Sequence, residues 1–221
     1  MNMNTKSPPP GRVVIRSYSP IVFLYPSLLA AILCGIWVTA TGATPETPGA
    51  SGLVFSLVLF VNLSIIAFDF GRLASILIVL VAVILGLLST IYPGIGDTIR
   101  AVMDQPVFMN ATFYWVWAVL IFMLIFLVFL KSRFDYWEIK NNELLHHHGF
   151  LGDVERWPAP GMRMSKEIHD VLEYLLCRSG RLVLVPEREQ RAIVIDTVLN
   201  VNRVENQIQT LLSTLRVADG D

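Results

Sequence analysis

The sequence predicts a membrane protein: an α-helical bundle of four transmembrane helices followed by a small α+β domain. The 221-residue chain is 54% hydrophobic and only 16% charged, whereas soluble domains average about 25% charged residues. Residues 1–130 hold five Lys or Arg and four Asp or Glu, while residues 131–221 hold twelve and fourteen. A bilayer excludes charge, so this step divides the chain into a membrane part and a water-exposed part.

Four apolar runs of membrane-spanning length lie in the first part. A hydrocarbon core of ~30 Å needs about 20 helical residues, with a range of about 17–25. Only the four residues Asp69-Phe70-Gly71-Arg72 separate the second run from the third. A single helix through both would put these charges near the middle of the membrane, which is costly, so a helical hairpin is predicted. The predicted spans are residues 21–40, 52–68, 73–91 and 113–130.

The basic residues predict the orientation, because Lys and Arg accumulate on the cytoplasmic side of a membrane. With four crossings, the N-terminal segment, Arg72, and the pair Lys131 and Arg133 all fall on one side. We therefore expect a multi-pass membrane protein with both termini in the cytoplasm. Residues 1–20 are expected to form a retained tail, and residues 131–221 a cytoplasmic domain.

Aromatic and basic residues are expected at the two membrane surfaces, and three polar residues at helix contacts. Asn62 is interpreted as an interhelical hydrogen-bonding residue rather than a substrate ligand, and Asp69, Arg72 and Asn62 are candidates for packing or oligomer contacts. The outer loop 92–112 is either an amphipathic helix in the interface or a covering loop. The predicted interface residues are Trp37, Trp115 and Trp117 on the outer side and Lys131, Arg133, Trp137 and Lys140 on the inner side.

Short strands and one amphipathic helix are predicted in the C-terminal part. The segment 162–179 is either a helix, or a strand as far as Ile168 followed by a short helix. Apolar residues at i, i+3 and i+7 from Val201 predict the closing helix, with Asn202 and Glu205 resembling a capping box. The predicted strands are Phe134–Ile139, Leu144–Phe150, Asp153–Trp157, Arg181–Val185 and Arg191–Leu199.

This order of elements resembles the bacterial pleckstrin-homology-like domains of membrane-flanked proteins. The resemblance rests on FDYWEIKNNELLHHHGFLGDVERWP, then GRLVLVP, then RAIVIDTVLNVNRVENQIQTLL, with Tyr18-Ser19-Pro20 before the first span. It implies a PH-like domain, a small β-barrel or sandwich with a C-terminal amphipathic helix. It also implies a location in a bacterial inner membrane and a homo-oligomer, which in this fold class can be a ring. The four crossings and the segment around Ile168–Leu176 depart from the usual arrangement.

The run His146-His147-His148 is the most conspicuous polar cluster. Neighbouring residues of a strand point to opposite faces, so only His146 and His148 are candidates for a shared metal-ligand sphere. A metal site needs three or four convergent ligands, and His169 is the only other histidine. We therefore expect a solvated strand face, or a contact with the membrane or a neighbouring subunit, and predict no metal or cofactor.

The expected function is that of a non-enzymatic membrane-anchored scaffold or assembly protein that oligomerises. No nucleophile elbow, phosphate-binding loop or dinucleotide fingerprint occurs in the sequence. The net charge of −1 argues against nucleic acid as a partner. The expected partners are the lipid bilayer, further copies of the chain and a cytoplasmic protein. The alternatives are a lipid- or headgroup-sensing module at the inner leaflet and a small oligomeric channel or transporter.

Overall fold

The computed structural model describes residues 11–47, 49–68, 72–103, 107–140, 142–149, 152–186 and 191–218. For residues 72, 99, 103 and 212–218 it describes the backbone but not the side chain. Two compact units are present. The sheet unit comprises the described residues of 1–19, 128–169 and 173–221, and the helical unit comprises those of 20–127 and 170–172. Asp69 and residues 187–190, which connect two of the predicted strands, lie outside the described residues, and Arg72 is described by its backbone alone.

The helices of the first 134 residues follow the predicted apolar runs closely. Three segments are long and apolar enough to cross a membrane, Pro20–Thr41, Leu73–Ile91 and Ala111–Phe134, and a shorter apolar helix covers Ser51–Ala67. This agrees with the predicted membrane character. The elements are a 3-10 helix at Pro20–Leu24, then α1 Tyr25–Thr41, α2 Ser51–Ala67, α3 Arg72–Ile91, α4 Pro93–Met103 and α5 Ala111–Phe134. The outer-loop segment, for which the sequence leaves two alternatives, is therefore helical over α4.

Hydroxyl side chains in the apolar helices bond to their own backbone. Thr39 donates to the carbonyl oxygen of Gly35 (2.7 Å), Ser56 to that of Gly52 (2.8 Å) and Ser89 to that of Gly86 (2.7 Å). A polar group in hydrocarbon has no water to bond with. These residues therefore satisfy their hydroxyl donors within the helix that carries them.

Asn62 joins α2 to the start of the first apolar segment. It is 2% exposed, its amide nitrogen donates to the carbonyl oxygen of Phe23 (2.7 Å), and its side-chain oxygen accepts from the Ser27 hydroxyl (2.6 Å). The hydrogen bonds that Asn62 makes are thus interhelical and lie within one chain. Its burial also removes the polar lining that a channel through Asn62 would require.

The C-terminal half has the predicted α+β composition, with two small antiparallel sheets. One sheet has the order β1-β2-β3-β4 and the other β5-β6-β7. The segment 162–179 is a strand followed by a short helix. The bounds are β1 Arg12–Ile15, β2 Tyr136–Lys140, β3 Glu143–His148, β4 Asp153–Pro158, β5 Arg163–Glu167, α6 Val171–Cys177, β6 Gly180–Val185, β7 Ile193–Val198 and α7 Val201–Ala218.

The N-terminal segment is part of the sheet unit, although the sequence analysis treats residues 1–20 as a tail. Arg12 to Ile15 pair antiparallel with Lys140 to Trp137 of β2. Beyond β1, the Ser17 hydroxyl donates to the backbone oxygen of Asp196 (2.8 Å) and the Tyr18 amide to that of Thr197 (3.3 Å). Residues 12–18 therefore bond to both sheets.

Alternation along the strands builds one core in this unit. Ile15, Ile139 and Leu144 of the first sheet are fully buried, as are Leu182 and Leu184 of the second. The described part of α7 covers this core with Val201, Val204, Ile208 and Leu211. Burial of each such side chain contributes about 1.5–3 kcal/mol, so the helix stabilises both sheets.

The capping-box interpretation of Asn202 and Glu205 is wrong. The helix begins at Val201, so the residue in the cap position is Asn200, whose backbone oxygen accepts from the amides of Arg203 and Val204. The side chains of Asn202 and Glu205 instead both bind the Lys166 ammonium group of β5. These two residues therefore attach α7 to the sheet rather than capping it.

Replacement of Asn62 by Ala is expected to destabilise the helical unit by about 1–2 kcal/mol, because the Ser27 hydroxyl and the Phe23 carbonyl lose a buried partner. The measurement is the midpoint of unfolding when dodecyl sulfate is titrated into protein in mild detergent. Ser64→Ala is the matched control, since the Ser64 hydroxyl bonds to the carbonyl oxygen of Phe60 in its own helix. Equal midpoints for the two variants would contradict the assignment.

Candidate functional site

The first sheet carries polar side chains on both faces at one end. In the antiparallel register, Trp137 lies opposite His146 and Tyr136 opposite His147. Successive side chains alternate between faces, so His146 and His148 share the face of Trp137. His147 lies on the other face, with Tyr136.

An Asp–His–His cluster occupies the face of the sheet that carries Trp137. Asp135 Oδ1 lies 3.1 Å from His146 Nε2, and Asp135, His146 and His148 offer ligand atoms within 4.8 Å of one another. The Trp137 ring stacks on the His146 ring with centroids 3.9 Å apart and an interplanar angle of 3°. On the other side of the same imidazole, Nδ1 lies 3.9 Å from Glu155 Oε2. Three potential ligands therefore converge around a histidine whose orientation is fixed by a stacked ring.

A buried carboxylate organises the opposite face. Glu138 is 6% exposed; its Oε1 lies 3.1 Å from Arg12 Nε, and its Oε2 lies 3.2 Å from His147 Nε2. Tyr136 stacks on His147 with ring centroids 4.5 Å apart. Because burial of an unpaired charge is costly, Arg12 of β1 contributes the counter-charge that Glu138 requires.

Three arginines line a cavity of about 230 Å³ near this carboxylate. Its walls are Arg12, Arg16 and Arg133 together with Val14 and Tyr136. The Nε atom of Arg16 is buried and has no hydrogen-bond partner among the described residues. A buried N–H donor without an acceptor costs free energy, so an anion in this cavity would satisfy a group that the chain leaves unpaired.

A second cavity of about 350 Å³ adjoins the first, since Val14 and Arg16 line both. Its other walls come from Tyr18, from the end of β7 and from Val204 of α7. These walls are mostly apolar. The two cavities together thus offer a cationic compartment beside an apolar one.

The predicted inner-surface residues occupy different environments. Lys131 is exposed and Arg133 lines the cavity, both in the last turn of α5. Lys140 is exposed at the end of β2, in register with Arg12 and Glu143. Trp137 is half-buried, packed against the core of the sheet unit and stacked on Trp157 as well as on His146.

The three predicted outer-surface tryptophans lie on α1 and α5. Trp37 and Trp115 are exposed. Trp117 is half-buried against Phe55 and Phe113, with ring centroids 6.4 and 6.2 Å away. Trp37 and Trp115 therefore remain available to an interface, whereas the ring of Trp117 packs within the helical unit.

Cys177, at the end of α6, is the described thiol outside the apolar helices. Burial raises the pKa of this thiol, and the negative charge of Glu173 raises it further. The thiolate is the nucleophilic form of cysteine. Cys177 is therefore protonated and a weak nucleophile at neutral pH.

Sequence reasoning identified His146 and His148 but missed their carboxylate neighbour and the arginine cavity. Asp135 lies directly after α5, where the Asp135 amide bonds to the Lys131 carbonyl (3.0 Å), so its proximity to β3 depends on the fold of the β2–β3 hairpin. No model of a known protein family matches the chain, and comparison with curated proteins and with solved structures also gives no match.

Proposed function

We propose that the protein is a non-enzymatic, membrane-anchored scaffold that self-associates and presents the sheet unit, as a PH-like domain, to the bacterial cytoplasm. The observation that carries this proposal is the environment of α3. Between Leu73 and Ile91, twelve large apolar residues are exposed, with relative solvent accessibilities of 45–84%. A helix that is apolar on all sides needs lipid or another apolar helix around it, so α3 is suited to both anchoring and assembly.

The pairing of β1 with β2 supports an even number of membrane crossings. Residues 12–15 and 136–140 belong to one sheet and must therefore lie on the same side of a bilayer. Three candidate spans lie between them, and an odd number of crossings would separate the two strands. Helix α2 has 17 residues, which is the lower end of the range that can span a bilayer. Counting α2 as a span gives four crossings. The basic residues described above support the cytoplasm as the shared side.

Small residues on α3 support a second copy of the chain as the neighbour. Ala82 and Gly86 are four residues apart and fall on one helix face. A Cβ added at Gly86 would meet nothing within 4 Å. Helices in membranes associate closely where small residues recur at this spacing. A helix of another copy can therefore approach the α3 backbone at this position.

The double variant Ala82→Leu/Gly86→Leu is expected to convert an oligomer into monomers, since the added side chains hold the neighbouring helix away. The measurement is the protein mass after extraction in mild detergent, by mass photometry or light scattering. Ile84→Phe, which adds bulk on the opposite face of α3, is the control and should leave the oligomer intact. A wild-type protein that is monomeric throughout would contradict self-association.

A second candidate function is recognition of an anionic lipid headgroup at the arginine-lined cavity. The buried Nε of Arg16 has no hydrogen-bond partner among the described residues, which favours a ligand with several acceptor oxygens. Arginine suits phosphate because its guanidinium can donate two hydrogen bonds to it. Arg133 follows the apolar residues of α5 by three positions, which places it at the boundary where lipid phosphates lie. The adjoining apolar cavity is suited to the hydrocarbon that accompanies such a headgroup.

Arg16→Gln and Arg133→Gln are each expected to weaken binding of a short-chain phosphatidylglycerol about tenfold, because each removes a charge-assisted hydrogen bond. Native mass spectrometry of the detergent-solubilised full chain reports the bound lipid. Arg163→Gln, an exposed arginine of β5, is the control. Competition by inorganic phosphate would indicate a free anion rather than a lipid as the ligand, and equal lipid retention in all variants would rule out the cavity as the site.

A further inference from the structure

We propose that Asp135, His146 and His148 bind a divalent first-row transition metal ion, with the Zn²⁺ class as the best fit. The three residues offer one nitrogen or oxygen ligand atom each, and these atoms lie within 4.8 Å of one another. This site is separate from the arginine cavity and does not rest on the proposed scaffold function.

Only small movements of the three ligand atoms would bring them to the spacing that a zinc ion requires. Zn²⁺ binds His nitrogen and carboxylate oxygen at about 2.0–2.2 Å in a tetrahedron, so neighbouring ligand atoms are about 3.4 Å apart. The Asp135 Oδ1 to His146 Nε2 distance is already 3.1 Å. His148 is exposed at the end of β3, and its ligand atom lies within 4.8 Å of those of the other two residues.

The strand register explains why these ligands converge. His146 and His148 are two residues apart on β3 and share a face. Their partners across the ladder are Glu155 and Asp153 of β4. With Asp135, three carboxylates therefore lie around two histidines, and their combined negative charge attracts a divalent cation.

The surroundings of His146 resemble those of a metal-bound histidine. A ligating imidazole usually presents its second ring nitrogen to a carboxylate, which fixes the tautomer and the ring orientation. Here Nε2 faces Asp135, while Nδ1 faces Glu155 Oε2 at 3.9 Å. The stacked Trp137 ring holds the imidazole plane. The ligand is therefore oriented before any ion arrives.

The ligand types select the class of ion. Ca²⁺ and Mg²⁺ favour sites made only of oxygen ligands, whereas imidazole with carboxylate suits zinc, cobalt, nickel and copper. Three protein ligands leave one tetrahedral position for water or for a group from a partner. An ion bound here would join Asp135 to strand β3 within the sheet unit.

Titration of Co²⁺ into the full chain in mild detergent tests the site, with Zn²⁺ as the competitor. The protein must carry no polyhistidine tag, and tryptophan fluorescence is the readout, because the Trp137 ring lies directly against His146. We expect saturable quenching with one ion per chain that Zn²⁺ reverses. His148→Ala and Asp135→Asn should each weaken binding at least tenfold.

His147→Ala is the matched control, because His147 belongs to the same run but lies on the opposite face beside Glu138. It should bind Co²⁺ as tightly as the wild type. Equal loss of affinity in His147→Ala and His148→Ala would show non-specific chelation by the histidine run and overturn the proposal. Absence of saturable quenching in the wild type would also overturn it. Asp135→Asn preserves side-chain size, so the Co²⁺ affinity of this variant tests the site even if His148→Ala alters the fold.

Discussion

The pairing of β1 with β2 is the interaction on which the rest of the structure depends. The two strands are separated in the sequence by all of α1–α5, yet they form one antiparallel ladder from Arg12–Lys140 to Ile15–Trp137. The same N-terminal segment then bonds to β7 through Ser17 and Tyr18. If the apolar helices cross a bilayer, this ladder can form only when both strands lie on the same side of it.

This ladder also brings together the charged side chains on the face of the first sheet that carries Glu138. Arg12 neutralises the buried Glu138, and Arg16 joins Arg133 in lining the cavity. Without the N-terminal segment that carries β1 and Arg16, Glu138 would lose the guanidinium of Arg12 and the cavity would lose two of its three arginines. The Asp–His–His cluster lies on the other face and involves no residue of β1. An anion site and a cation site can therefore exist on one small sheet without cancelling each other.

The sequence was most informative where a pattern is local. The charge step at Lys131 and the apolar runs predicted the helices, and local strand patterns predicted β2, β3, β4, β6 and β7, since these signals lie within a few neighbouring residues. For the segment that holds β5, the sequence left both a helix and a strand open. The strand β1 was missed because its four residues, RVVI, acquire a partner only beyond five helices. Asp135 and the roles of Asn202 and Glu205 were missed for the same physical reason: each contact depends on tertiary structure.

The central claim is that β1 pairs with β2 of the same chain, and disulfide cross-linking tests it most directly. Antiparallel partners have Cα atoms about 4.5–5.5 Å apart, within the range that a disulfide spans. In a background of Cys34→Ala and Cys177→Ala, the pair Arg12→Cys with Lys140→Cys should form an intramolecular disulfide under mild oxidation. Arg12→Cys with Arg156→Cys, which lies two strands further on, should not. Absence of the first disulfide, or its formation only between chains, would contradict the account.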